Sequence, residues 1–256
     1  ERIYTEERLM IKPDMIKLET HCHTLGGSRC ATTPIDLTAE IYKKAGYGAV
    51  VVTNHYNFPS INDYKGETLK EKLRGFFSLA KTAKEEFAAR GIKTFIGAEV
   101  QTKTERTDGY QEFMLYGFDE EFLLEAPALY EFNQKELFKI AEENGLFMYQ
   151  THPFRPRVIT GDPAYMHGAE AFNGHFHHPN NNDLATEFCF KYGLIPVSGT
   201  DFHHDDQPVT GGLLVPENLK TEKELVDYIR SGKARLIREE KTYEDGYKNY
   251  IESVGK

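Results

Sequence analysis

The sequence predicts an α/β protein whose strands close into a barrel. Two observations lead there. Short apolar, β-rich runs alternate with capped helical stretches along the chain. That is the pattern of parallel strands joined by right-handed crossovers. Polar residues able to do chemistry follow those runs directly, strand after strand. Seven strands also fit a large open sheet, but in a barrel the C-terminal strand ends converge on one face. Residues far apart in sequence would meet there.

The first candidate strand is "MIKLETH" (15–21). In the helical stretch "TTPIDLTAEIYKKAG", Thr33 reads as N-cap, Pro34 as the first helical residue and Gly46 as the stop. "YGAVVVTNH" (47–55) is the second strand, and a long amphipathic helix over 68–91 ends at Gly91. "KTFIGAEV" (93–100) is the third strand. Residues 101–130 are less regular and read as a loop with a hairpin, within which "EFMLYGF" (112–118) is the fourth strand. "NQKELFKIAEENG" opens with Asn133 and Glu136 as a capping box and closes at Gly145. "LFMYQTH" (146–152) and "AEAFNGH" (169–175) are the fifth and sixth strands. A helix over 181–193, closed by Gly193, leads to the seventh, "LIPVSGTDFHH" (194–204). "TEKELVDYIRSG" repeats the helix plan with Thr221, Glu224 and Gly232. Continuous apolar runs of this kind suit strands buried on both faces.

Bulk properties narrow the function. The 256 residues carry 31 basic and 40 acidic side chains, a net charge of -9. An acidic surface repels a phosphate backbone, so general nucleic-acid binding is disfavoured, whereas a small anionic substrate in a local positive pocket is not. No apolar run reaches the ~18 residues of a membrane span, and no charged-then-apolar leader pattern is present. Cys22, Cys30 and Cys189 are an odd, sparse set. They read as a reducing compartment, with a cytoplasmic location expected.

The strand ends supply His21 and His23, then His55, Glu99, His152, Asp201, His203 and His204. These nitrogen and oxygen ligands, almost without sulfur, suit zinc, manganese or iron in a hydrolytic site. Residues i and i+2 of a strand point to the same side, so His21 and His23 can grip one ion, and Asp201 and His203 share that spacing. Glu99 can bridge two cations, because each oxygen accepts independently. Singly, each residue has an ordinary structural reading. Five strand ends in register argue for a joint metal site. Cys22 should point away from it, into the core. Gly26-Gly27 lacks the following Gly-Lys-Ser/Thr of a phosphate-binding loop.

"HCHT", "TNH", "GAEV", "THP" and "SGTDFH", in this order, resemble the motifs of the PHP (polymerase and histidinol phosphatase) superfamily. The resemblance runs from about residue 16 to about 236 and takes in "TEKELVDYIRSGKARLI". It implies a distorted (β/α)7 TIM-like barrel, here one domain over 1–256. It also implies a phosphoesterase using one to three divalent ions (Zn, Mn or Fe) on a small phosphorylated substrate through a metal-activated water. By the same resemblance, His21, His23, Glu99 and Asp201 form one site. Glu99 and His152 share a second ion, and His55 and His203 hold a third.

Two positions depart from the family pattern. Arg29 stands near a loop ligand of the third site, and Phe113 at or near a histidine ligand of the second. Arg29, Arg155, Arg157, His175 and His178 are candidate substrate contacts, since an arginine fork matches a phosphate bidentately. Two rival functions follow. One is amidohydrolase-like cleavage of a non-phosphate bond with the same metal toolkit. The other is a non-catalytic metal-binding protein, favoured by Arg29 and Phe113.

Overall fold

All seven expected runs become strands in the computed structural model of the chain, which describes residues 14–255. Residues 1–13 and 256 of the expected domain lie outside the described residues. The elements run β1 (Met15–Cys22), α1 (Ile35–Lys44), β2 (Tyr47–Val52), β3 (His55–Tyr56), α2 (Phe58–Asp63), α3 (Leu69–Ala89), β4 (Lys93–Thr102) and β5 (Gln111–Tyr116). Then come α4 (Glu120–Glu125), α5 (Gln134–Glu143), β6 (Phe147–Gln150), β7 (Gly168–Asn173), α6 (Asn182–Tyr192), β8 (Ile195–Gly199), β9 (Gly211–Pro216), α7 (Glu222–Arg230), β10 (Arg235–Arg238) and α8 (Glu240–Val254).

The sheet order is β10-β9-β1-β2-β4-β5-β6-β7-β8, with β3 beside β4. The two flanks of this order meet. His23 N–H donates to the Phe202 carbonyl and Phe202 N–H to the His21 carbonyl, each at 3.1 Å. Gly211 N–H donates to Thr200 Oγ1 (3.1 Å) and Gly212 N–H to Ser198 Oγ (3.2 Å). The result is a nearly closed, distorted TIM-like barrel.

The all-parallel expectation needs correcting. β1–β2–β4 and β6–β7–β8 are parallel, but β5 runs antiparallel to β4 and β6, and β9 antiparallel to β1 and β10. Alternation in sequence does not fix direction where a hairpin intervenes, as residues 103–110 do between β4 and β5. β9 and β10 were not among the seven runs. "GGLLVP" opens on two glycines and ends on proline, and "RLIR" is flanked by arginines.

Side-chain parity explains the core. Leu18, Ala49, Val51, Phe95, Met114, Tyr116, Phe147, Tyr149, Val197, Leu213 and Val215 form one buried cluster inside the barrel, together with Leu225, Val226 and Ile229 of α7. The opposite strand faces pack under the outer helices. Ala98, Val100, Phe113, Leu115 and Met148 meet Phe76 and Phe77 of α3. Cys22, Val50 and Val52 meet Tyr42 of α1. Cys22 thus faces the core, as the alternation requires.

Capping boxes form at Thr68/Glu71, Asn133/Glu136 and Thr221/Glu224. At α1 the expected cap is displaced by one residue. Pro34 is the N-cap and Thr33 Oγ1 donates instead to the His203 carbonyl (3.3 Å), because Thr33 is buried against that loop.

Candidate metal centre

The apolar barrel interior carries polar side chains at its upper end by simple continuation of the period of two. Ala49 and Val51 lead to His55 on β3, and Phe95 leads past Gly97 to Glu99. Val197 leads to Gly199, the end of β8, beyond which Asp201 and His203 follow. β1 needs a bulge, with its register against β2 shifting between Glu19 and Cys22. The bulge lets His21 and His23 both face inward. His152 and Asp201 are brought in by left-handed backbone, with φ of 30° and 56°. Such conformations are costly for residues other than glycine and persist where the surroundings enforce them.

Glu99 is the hub. Its carboxylate lies 2.9 Å from His55 Nδ1, 3.2 Å from His152 Nε2, and 3.4 Å from both His21 Nε2 and His23 Nε2. Asp201 Oδ1 lies 3.3 Å from His21 Nε2 and 3.4 Å from both His23 Nε2 and His203 Nδ1. The seven residues expected as ligands therefore meet in one place. Neither Glu99 oxygen receives a well-aligned hydrogen bond, and His55 Nδ1 and His152 Nδ1 also lack one. Orphaned buried polar atoms are expensive.

The outward nitrogens are occupied. His21 Nδ1 pairs with Glu170 Oε1 (3.0 Å), and His23 Nδ1 with Ser28 Oγ (2.7 Å). His21 Nε2 and His23 Nε2 are left 3.0 Å apart, pointing at each other. Two nitrogen lone pairs tolerate that approach with a proton or a cation between them. Partners on the outer nitrogen are how proteins aim imidazoles at a metal. The donor set fits a divalent ion with nitrogen and oxygen preference. His21/His23/Asp201, His23/His55/His203 and His55/Glu99/Glu112 are three groups whose ligand atoms lie within 4.8 Å of one another.

Electrostatics divide the imidazoles: against burial, Asp201, Glu170 and Glu99 hold His21 well above its usual value, and Glu99 does the same for His55. Burial opposes charge on Asp201, but His21, Arg155 and His203 outweigh it and hold the carboxyl well below its usual range. Glu99 is likewise held low against burial, by His21 and His55. Burial, with the His55 charge beside it, lowers His23 to about 4. Burial and His23 hold His203 well below its usual value. His23 and His203 thus stay neutral near pH 7, the ligand form of imidazole.

Sequence reasoning missed Glu112. Because β5 is antiparallel, its first residues, not its last, reach the upper face. Glu112 shares the inward face of Met114 and Tyr116, while Phe113 is buried in the outer core. Glu112 lies 3.6 Å from His152 Nε2 and 3.9 Å from His55 Nδ1. Burial, then the Glu99 charge, pushes its carboxyl up to about 6. The available signal was a glutamate on the inward period of an apolar strand. Glu170, Asn173 and Ser28 were also missed.

The candidate substrate residues divide. Arg155 is buried and donates to Asp201 Oδ2 (2.7 Å), Asn173 Oδ1 (2.9 Å) and Asn180 Oδ1 (2.8 Å). Arg29 is exposed and paired with Asp63 at 2.5 and 2.6 Å, and Arg157 is exposed. In the loop where Arg29 stands, the side chains that reach the centre are Ser28, at His23 Nδ1, and Cys30, whose Sγ lies 3.3 Å from His55 Nε2. His175 is buried beside His203, with ring centroids 5.1 Å apart, and His178 is exposed on the rim.

No family model matches the sequence, and no curated protein does. Solved structures do. PsfC from Pseudomonas syringae PB-5123 aligns with a TM-score of 0.65 at 15% identity, covering 94% of this chain and 99% of PsfC. A two-domain protein from Bacteroides vulgatus ATCC 8482, described as containing a predicted PHP-like metal-dependent phosphoesterase, aligns at 0.55 and 17% identity, over 91% of this chain and 70% of that one. The chain shares the fold of these structures. The lesion-specific endonuclease PfuEndoQ from Pyrococcus furiosus aligns at 0.55 and 14% identity, over 87% of this chain and 57% of that one.

Proposed function

We propose that this chain is a divalent-metal-dependent phosphoesterase acting on a small phosphorylated compound. One observation carries the proposal: Glu99 sits among four imidazoles, opposite Asp201, in a buried centre whose histidines His21 and His23 are held by partners on their outer nitrogens. His21, His23, Glu99 and Asp201 would hold one ion. Glu99, Glu112 and His152 would hold a second, and His55 and His203 a third. When bound, such ions supply Lewis-acid polarisation of a phosphoryl oxygen and a water of lowered pKa.

The chain's own residues do the rest. Arg155 fixes Asp201 and offsets negative charge beside it. Glu170 orients His21 and accepts the His152 backbone N–H (2.9 Å), tying two ligands to one carboxylate. Burial of His21, His23 and Glu99 keeps bulk water from competing. Likeness to a protein described as a PHP-like phosphoesterase supports the phosphate reading. A nucleic-acid phosphodiester is the second reading, favoured by the likeness to PfuEndoQ and opposed by the -9 charge. Zn-, Mn- or Fe-loaded protein should release phosphate from at least one small monoester, or an alcohol and a phosphomonoester from at least one small diester, and His21→Ala should abolish that hydrolysis. Activity confined to amides, or to nucleic acid, would defeat the proposal.

A further inference from the structure

Outside this centre, a second group of ligating side chains gathers on the barrel rim. His175 and His177 lie in the loop after β7, and His204 in the loop after β8. One ring nitrogen of each lies within 4.8 Å of the others. Ring centroids are 5.2 Å apart for His175 and His177, 5.4 Å for His177 and His204, and 6.1 Å for His175 and His204. None of the three belongs to the ligand groups around Glu99.

We infer that His175, His177 and His204 form a separate binding site for a zinc-class divalent cation. The first argument is orientation. His204 Nδ1 is engaged by Thr32 Oγ1 (2.8 Å). His204 therefore keeps Nε2 as its remaining ligand atom.

The second argument is support. The His177 ring stacks on Tyr250 of α8 (4.4 Å, 29°), and Phe176 meets it edge-on (4.4 Å). Tyr243 of the same helix donates from its hydroxyl to the His178 carbonyl (2.8 Å) and accepts the Asn180 N–H (3.0 Å). α8 thus braces the loop that carries two of the three ligands.

The third argument is chemistry. Three imidazoles are a recurrent zinc set, with nitrogens at ~2.0–2.1 Å from the ion and a fourth position left for another ligand. Tetrahedral geometry at that bond length sets nitrogens ~3.3 Å apart, so rotamer adjustment of the partly exposed His177 and His204 closes the site. The Asp206 carboxylate, 3.7 Å from His177 Nε2, adds negative charge beside the cluster.

The test uses the full chain, loaded with zinc and freed of excess metal. Metal per chain is measured for the wild type, His177→Ala and His204→Ala. Each variant should hold one equivalent less than the wild type, while His21→Ala should keep the rim ion. An unchanged count in both rim variants overturns the inference. Zinc-edge anomalous scattering from wild-type crystals gives a second reading that needs no variant. A peak among the three imidazoles supports the site, and a peak confined to the Glu99 centre rejects it. The outcome is independent of phosphoesterase activity, so either proposal can fail while the other stands.

Discussion

Glu170 shows how much of the site rests on a residue with no motif of its own. It is fully buried, and its two oxygens serve His21 Nδ1, the His152 N–H and Asn173 Nδ2. Removing such an outer partner commonly costs 10–100-fold in metal affinity. Glu170→Gln should therefore lower metal affinity by about that factor with the fold intact, read by competition with a chelator. Unchanged affinity would remove Glu170 from the centre. Arg29 gives the opposite expectation. Its guanidinium is spent on Asp63 at the surface, so Arg29→Ala should leave both kcat and KM unchanged within about twofold. A KM rise for a phosphorylated substrate would show that the loop swings inward on binding. The seven residues that meet at the centre were legible because each lies at or just after an apolar run. Glu112 was not, since reading it correctly requires knowing that β5 runs downward. Glu112→Ala should selectively weaken binding at the His152 side of Glu99, seen as loss of about one metal equivalent while the His21/His23/Asp201 set stays filled.

At the scale of elements, helix ends were the most legible feature, because a capping box is a local hydrogen-bond exchange that needs no tertiary context. Two of them, at Asn133 and Thr221, stand where the sequence placed them. The shift at α1 arose because a tertiary acceptor, the His203 carbonyl, competes for the Thr33 hydroxyl. The β1 bulge was not legible at all, and it depends on Glu19. That buried carboxyl accepts backbone N–H groups of Thr20 (2.9 Å), His21 (2.8 Å) and Thr200 (2.9 Å), and the Tyr42 hydroxyl (3.0 Å). Burial raises it to about 7 against these bonds, from an ordinary 4.5. The sign follows from linkage. Below about pH 4.5 both folded and unfolded chains hold the proton and no penalty exists. Between 4.5 and about 7 the folded chain keeps a proton that the unfolded chain has lost, so stability falls as pH rises. Above that range the full penalty remains, about 3 kcal/mol at 1.36 kcal/mol per tenfold. Glu19→Gln keeps the acceptor oxygen and removes the ionisation. Its stability relative to wild type should rise between pH 5 and pH 8, measured from urea midpoints. A difference that is flat across pH would mean that Glu19 does not titrate in that window.

For the whole molecule, the class was readable from alternation and closure from the polar residues at the strand ends, but the seam itself was not, because it depends on two strands meeting backbone to backbone. At the seam β8 and β9 approach through glycines. A Cβ on Gly211 would lie 2.2 Å from the Gly199 carbonyl carbon and oxygen, far inside any tolerated contact and against atoms that cannot rotate away. The same seam carries the Thr200 and Ser198 bonds to Gly211 and Gly212. Two residues beyond Gly199 stands Asp201, and Phe202 exchanges backbone bonds with the His21 and His23 segment. Opening the seam therefore moves Asp201 and His203 relative to His21 and His23, so fold stability and ion binding are coupled through one contact. Gly211→Ala should cost several kcal/mol, in the range of severe overpacking, and should lower metal content even under conditions where the chain stays folded. Gly232→Ala is the matched control. Gly232 has φ of 69° but nothing within 4 Å of the added Cβ, so only backbone strain of about 1–2 kcal/mol is expected, with metal content unchanged. If both variants lose the same stability and neither loses metal, the seam does not hold the two halves of the centre together.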